Sequence, residues 1–237
     1  MEEAKRKTPI SGFRLALLIV SGALAMFSLA YFIYIAASGN DPYNKFMTTL
    51  LETLMFLVPI AAHLIFKNKI TDFTIAFYVI FLFVASFLGQ VLRFNTHFPW
   101  YDKFAHFTFG YVGCVIGLFV VCKLADYDSL RPVFVAIFVF CVSMMCAAVW
   151  EIMEFISSRF LGQTAQGAPQ LTESGKYVVD ITDTMLDIIS NLGGAVLFLA
   201  HYIAHKVSKK SLLMGAIVKD FNQKPEPETA KVTAEQA

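Results

Sequence analysis

The residues best equipped for chemistry in this 237-residue chain are carboxylates and one imidazole set at the edges of apolar segments. Asp102 and His106, four apart, lie about 40° apart around a helix. Glu151 and Glu154, three apart, also share a helical face. Asp180, Asp183, Asp187 and Asn191 fall within roughly an 80° arc of a third helix. Ionisable residues inside apolar helices are costly, so they mark function by default. Two carboxylates about 5 Å apart repel by roughly 3 kcal/mol at an effective dielectric of 20. If the three stripes meet, something must compensate: a divalent metal, retained protons, or pairing with Arg93, Lys103 and Arg159. Many carboxylates with one imidazole suit Mg²⁺, Mn²⁺ or Zn²⁺ better than a thiolate metal. The expected metal ligands are Asp102, His106, Glu151, Glu154, Asp180, Asp183, Asp187 and Asn191. The expected catalytic groups are His106, Glu151, Glu154, Asp183 and Asp187.

The elements that must position these groups are membrane helices. Hydrophobic residues make up 57% of the chain and charged residues 16%, against about 25% charged in soluble domains. That balance excludes a disordered chain and a coiled coil. A net charge of +1 gives no reason to expect nucleic-acid binding. The apolar mass falls into six blocks of spanning length: Phe13 to Ala37, Met47 to Phe66, Ile70 to Leu92, Phe104 to Leu124, Val133 to Phe155 and Asp180 to Ala204. Their continuity predicts an all-α polytopic bundle of six transmembrane helices, strongly preferred over the short alternating strands of a barrel. The first block follows Lys5, Arg6 and Lys7 but is too long for a secretory signal, so it is read as a helix. The expected organisation is a cytoplasmic stretch at 1–12, a transmembrane domain at 13–205, and a cytoplasmic tail at 206–237, disordered from about Phe221 onward.

With both termini inside, 14 of the 19 Lys and Arg fall on the cytoplasmic side, and Lys45, Arg93, Lys103, Arg159 and Lys176 outside. The fourth block then starts outside, the fifth ends outside and the sixth starts outside. All three polar stripes are expected in the outer half of the membrane. Gly110, Gly113 and Gly117 continue the His106 face, and Gly193 and Gly194 follow Asn191, so close helix approach is expected there. Trp100, Tyr101 and Trp150 read as interfacial aromatics. His63, His201 and His205 lie toward the cytoplasm as structural or interfacial residues. Cys114, Cys122, Cys141 and Cys146 lie inside apolar helices without paired spacing and read as reduced packing residues. The polar, Gly-rich segment from Ser157 to Val179 is either a lid or a linker.

Trp100-Tyr101-Asp102-Lys103 with His106 and Gly110, Trp150-Glu151 with Glu154-Phe155, and Asp183-Thr184-Met185 with Asp187, Asn191 and Gly194-Ala195 form a combined pattern over roughly residues 90 to 200. It resembles the YjdF-type family of polytopic inner-membrane proteins and is more distantly similar to VanZ-like proteins. The resemblance implies a multi-pass protein of the bacterial cytoplasmic membrane and the cell envelope. The residues themselves leave three functions open. One is an enzyme acting on a lipid or a lipid-linked phosphate or glycan at the outer leaflet, with the bilayer as its partner and a divalent metal as cofactor. Another is a proton-coupled transporter, which the apolar inner halves of the fourth and fifth blocks disfavour. The third is a non-catalytic envelope-interaction protein.

Overall fold

The computed structural model describes residues 10–41, 46–66, 70–160, 170–171, 174, 177–178, 181–208, 210 and 212–222. Asp180, Lys5, Arg6, Lys7, Lys45, Lys67, Lys69, Lys176, Lys209, residues 223–237 and most of the 157–179 segment lie outside the described residues. The six apolar blocks form six helices long and apolar enough to cross a membrane. They are α1 (Gly12–Ser38), α2 (Phe46–Phe66), α3 (Asp72–Leu82) with a π-helical continuation (Phe83–Val91), α5 (Tyr101–Leu124), α6 (Pro132–Phe160) and α7 (Ile181–Ser208). The short α4 (Phe94–His97), a 3₁₀ turn (Tyr127–Ser129) and α8 (Leu212–Phe221) complete the helices. Between α6 and α7, β1 (Gln170–Leu171) and β2 (Tyr177–Val178) pair antiparallel, with Gln170 opposite Val178 and Leu171 opposite Tyr177. The chain is a polytopic helical membrane bundle.

Local chemistry explains where the helices begin and how they alternate. Ser11 caps α1 by accepting from the Arg14 N–H at 3.1 Å, and Thr71 caps α3 by accepting from the Thr74 N–H at 3.3 Å. Gly39 closes α1 in the left-handed conformation at φ 63°, where a side chain would be strained. Arg14 ion-pairs with Asp72 and donates to the Ile70 carbonyl at 2.8 Å, so α1 and α3 start at the same end of the bundle. Inside the α1–α2 hairpin, Ser21 donates to the Phe56 carbonyl and Ser28 to the Thr49 carbonyl at 3.3 Å. The Tyr127 and Tyr202 hydroxyls, 3.3 Å apart, bring the end of α7 beside the end of α5. The starts of α5 and α7 therefore lie together at the opposite end, with the last turns of α6.

Two features differ from a simple six-rod reading. The third block is not α-helical throughout: the Leu92 N–H donates to the Phe87 carbonyl, five residues back, at 2.8 Å. Such π-helical stretches concentrate at functional sites. The Tyr101 hydroxyl donates to the Val84 carbonyl in this stretch at 2.8 Å. Arg93 follows with φ 64°, the only non-glycine residue of positive φ among the described residues. The other feature is α8. Met214, Ile217 and Phe221 are fully buried, and Phe221 packs edge-on to Phe119 of α5. The helix α8 thus packs back on the bundle through Phe221. All four cysteines are free; Cys114 and Cys122 are buried, Cys146 is half-buried and Cys141 is exposed.

Candidate functional site

The site exists because α5 is held close to both α6 and α7. Gly110 faces the Asn191 carbonyl and the Ala195 amide of α7, and Gly194 faces the Phe107 carbonyl and the Tyr111 amide of α5. A methyl group at either glycine would overlap the opposing backbone. On the α6 side, a methyl at Gly113 would meet Ser143 Cα at 3.0 Å, and one at Gly117 would meet Val139 Cα at 2.9 Å. These are small-residue contacts of the kind that bind membrane helices through dispersion. Ser143 Oγ donates to the Gly110 carbonyl at 2.9 Å and accepts from Asn191 Nδ2 at 3.4 Å, joining α5, α6 and α7 in one polar layer.

The ionisable group lies one turn beyond that layer. Lys103 sits at its centre. Its ammonium donates to Asp102 Oδ2 at 2.9 Å and to Asp183, and it contacts Asp187 Oδ1 at 2.8 Å and Oδ2 at 2.9 Å. Asp102 and Asp183 keep about a third of their side-chain surface exposed, whereas Asp187 keeps 1%. The group therefore has a wet rim and a dry floor. His106 is buried with Nε2 3.6 Å from Asp187 Oδ1 and 3.8 Å from Asp102 Oδ1, and with Nδ1 3.9 Å from Glu151 Oε1. These separations exceed direct hydrogen bonds and suit an interposed water or ion.

Glu151 is 94% buried, and neither of its oxygens receives a hydrogen bond of standard geometry, although Thr184 of α7 is a neighbouring hydroxyl. Glu154, one turn on, accepts from Trp150 Nε1 at 2.7 Å. Asp102, His106 and Asp187 offer ligand atoms within 4.8 Å of one another, and so do Glu151, Glu154 and Asp187. Asp187 belongs to both sets.

The structure thus brings together Asp102, His106, Glu151, Glu154, Asp183 and Asp187, all expected from the sequence. Asp180 lies outside the described residues. Asn191 is fully buried one turn deeper, where its amide nitrogen serves Ser143 and contacts Met144 Sδ at 3.5 Å; its Oδ1 has no hydrogen-bond partner. Of the three cations offered as compensation, Lys103 is the one at the centre of the group. Its central role was signalled only by its position next to Asp102. Tyr101, expected as an interfacial aromatic, is instead 4% exposed and anchors α5 to the π-helical stretch. His201 pairs with the Tyr111 hydroxyl at 2.7 Å on the deeper half of α7.

No curated protein matches the chain, and no solved structure does. A family profile described as "Predicted membrane protein (DUF2238)" matches residues 18–207, a range that contains every residue of the buried carboxylate and histidine group. With its six apolar helices and that match across most of its length, the chain belongs to the DUF2238 family of predicted membrane proteins.

Proposed function

We propose that this protein is a metal-dependent membrane enzyme acting on a lipid, or a lipid-linked phosphate or glycan, from the extracytoplasmic face of the bacterial cytoplasmic membrane. The observation that carries the reading is Glu151. It is a deeply buried carboxylate whose oxygens receive no hydrogen bond of standard geometry, 3.9 Å from His106 and adjacent to two further carboxylates. Five carboxylates share the group with a single ammonium, so four negative charges remain when all are ionised and His106 is neutral. Such an excess is too costly near a bilayer to stand without a counter-charge or retained protons.

The donor set fits a divalent ion. An ion with bonds of about 2.1 to 2.5 Å places its ligand atoms roughly 3 to 5 Å apart. The Glu151–Glu154–Asp187 set falls in that range. When bound, such an ion supplies Lewis-acid polarisation of a phosphoryl or carbonyl oxygen. His106, with carboxylates 3.6 to 3.9 Å from its ring nitrogens, is placed to take a proton from an attacking water. Lys103 holds Asp187 and Asp183 in position. Trp100 at the start of α5, Phe104 on α5, and Trp150 and Met153 on α6 are exposed beside the group, a rim suited to acyl chains. A path through the membrane is disfavoured. Cys114, Val115, Leu118, Val139, Ala195 and Phe198, all at or below 2% exposure, close the α5–α6–α7 seam beneath Asn191.

The test is metal analysis on the full chain in nanodiscs, stripped with chelator and reloaded with Mn²⁺, with phosphate release from a polyprenyl diphosphate as a second readout. One ion per chain is expected, with at least a tenfold loss of affinity in Glu151→Gln and Asp187→Asn. An ion-free wild type, or variants that bind as it does, would overturn the metal reading.

A further inference from the structure

The Lys103 ammonium occupies a position built like a cation site. Four carboxylate oxygens from three residues on two helices converge on its Nζ, all within 2.9 Å. An ammonium has only three N–H groups, so one oxygen is held by charge alone. Asp187 presents both oxygens, the bidentate mode carboxylates commonly use toward Ca²⁺. Bonds to Ca²⁺ run about 2.3 to 2.6 Å, so the oxygens need to draw in by only a few tenths of an ångström to hold one. Asp187 is 1% exposed, its Oδ1 has only the ammonium's charge to hold it, and it also offers a ligand atom within 4.8 Å of Glu151 and Glu154.

We propose that the Lys103 ammonium is a tethered second cation, filling an ion-sized cradle of Asp102, Asp183 and Asp187 that takes a divalent ion when the ammonium is removed. The proposal rests on the metal reading above and deepens it. The centre then holds one exchangeable ion and one covalently attached charge, bridged by Asp187, in place of two metals. A fixed charge of this kind keeps Asp187 oriented whether or not the exchangeable ion is bound. It also limits the metal requirement to one ion.

The experiment counts ions per chain in nanodiscs after loading with Mn²⁺ or with Ca²⁺, for wild type, Lys103→Met and Lys103→Ser. One ion is expected in wild type and two in each variant, with the added ion lost again when Asp102→Asn and Asp183→Asn are combined with Lys103→Met. Wild type and variants alike at one ion would overturn the proposal and leave the metal reading intact. None in wild type but one in the variants would support the proposal and overturn the metal reading. None in any would overturn both. A second ion that survives the added Asn substitutions lies elsewhere and also overturns the proposal. If the variants fold only when Mn²⁺ or Ca²⁺ is present, the ion has replaced the ammonium, which supports the proposal. If they fold under neither condition, a divalent ion cannot replace Lys103 and the proposal fails.

Discussion

Replacing Gly194 with alanine tests the contact on which the whole site depends. The added methyl would overlap the Phe107 carbonyl oxygen, and its other near neighbours are also backbone, the Phe107 carbonyl carbon at 2.9 Å and the Tyr111 nitrogen at 3.0 Å. Backbone inside a helix cannot rotate away as a side chain can, so α5 and α7 must separate by something on the order of 1 Å. A gap of that size forfeits roughly a quarter to a half of the dispersion energy of each contact it opens. Overpacking costs typically about 1 to 3 kcal/mol. With backbone on the far side, the expected loss is about 3 kcal/mol, or roughly 6 to 12 °C in Tm for a chain of this size. Gly22→Ala is the matched control, because its methyl meets only Ile60 Cδ1 at 3.7 Å, an ordinary contact. Alanine there is expected to hold or raise the Tm, since glycine is the poorer helix former by about 1 kcal/mol. The assay is thermal unfolding in a single detergent, followed by Mn²⁺ titration of the surviving protein. The same separation pulls Asp187 from Lys103, so affinity falls along with Tm. Equal Tm values for Gly194→Ala and Gly22→Ala would refute the close approach of α5 and α7.

Two further outcomes follow from local contacts. Tyr101→Phe removes the hydroxyl that satisfies the Val84 carbonyl in the π-helical stretch; a loss of about 1 kcal/mol in thermal stability is expected, with faster amide exchange across Phe83–Val91. Phe221→Ala empties a fully buried position and removes the ring contact with Phe119; α8 is expected to undock, read as early proteolytic cleavage after Ser208 while the six spanning helices stay protected.

The spans were legible in the sequence because bilayer thickness fixes the length of an apolar run. The six blocks match the observed helices to within a few residues, apart from an extra turn at the ends of α6 and α7. The faces carrying Asp102 with His106, Glu151 with Glu154, and Asp183 with Asp187 were legible because helical periodicity fixes them. The glycine faces were legible for the same reason, and the structure adds which glycine meets which backbone. The position of Lys103 was hidden. A long flexible stem reaches many places, and spacing says nothing about which helix it crosses to. The π-helical stretch was hidden because its register depends on partners such as Tyr101, 17 residues away. The helix α8 left a trace. Met214, Ile217, Val218 and Phe221 follow the i, i+3, i+4, i+7 pattern, but Lys219 and Asp220 and the polar residues after them masked it.

The length of α6 has a consequence for the membrane around the protein. Its 29 residues span about 43 Å, against a hydrocarbon layer of about 30 Å. An ordinary tilt of about 20° shortens the projection by only about 3 Å. Roughly 10 Å of helix therefore extends past the acyl chains. If Pro132 marks one boundary, Glu151 stands about 28 Å away, close to the other. Phe155, Ile156 and Phe160, all exposed, are then carried into the headgroup layer. There they draw lipid upward around the acidic group. Hydrophobic mismatch thus becomes a control variable for this protein. Thicker bilayers cover the aromatic end of α6 and bury the carboxylates more deeply, and thinner ones leave both in the headgroups.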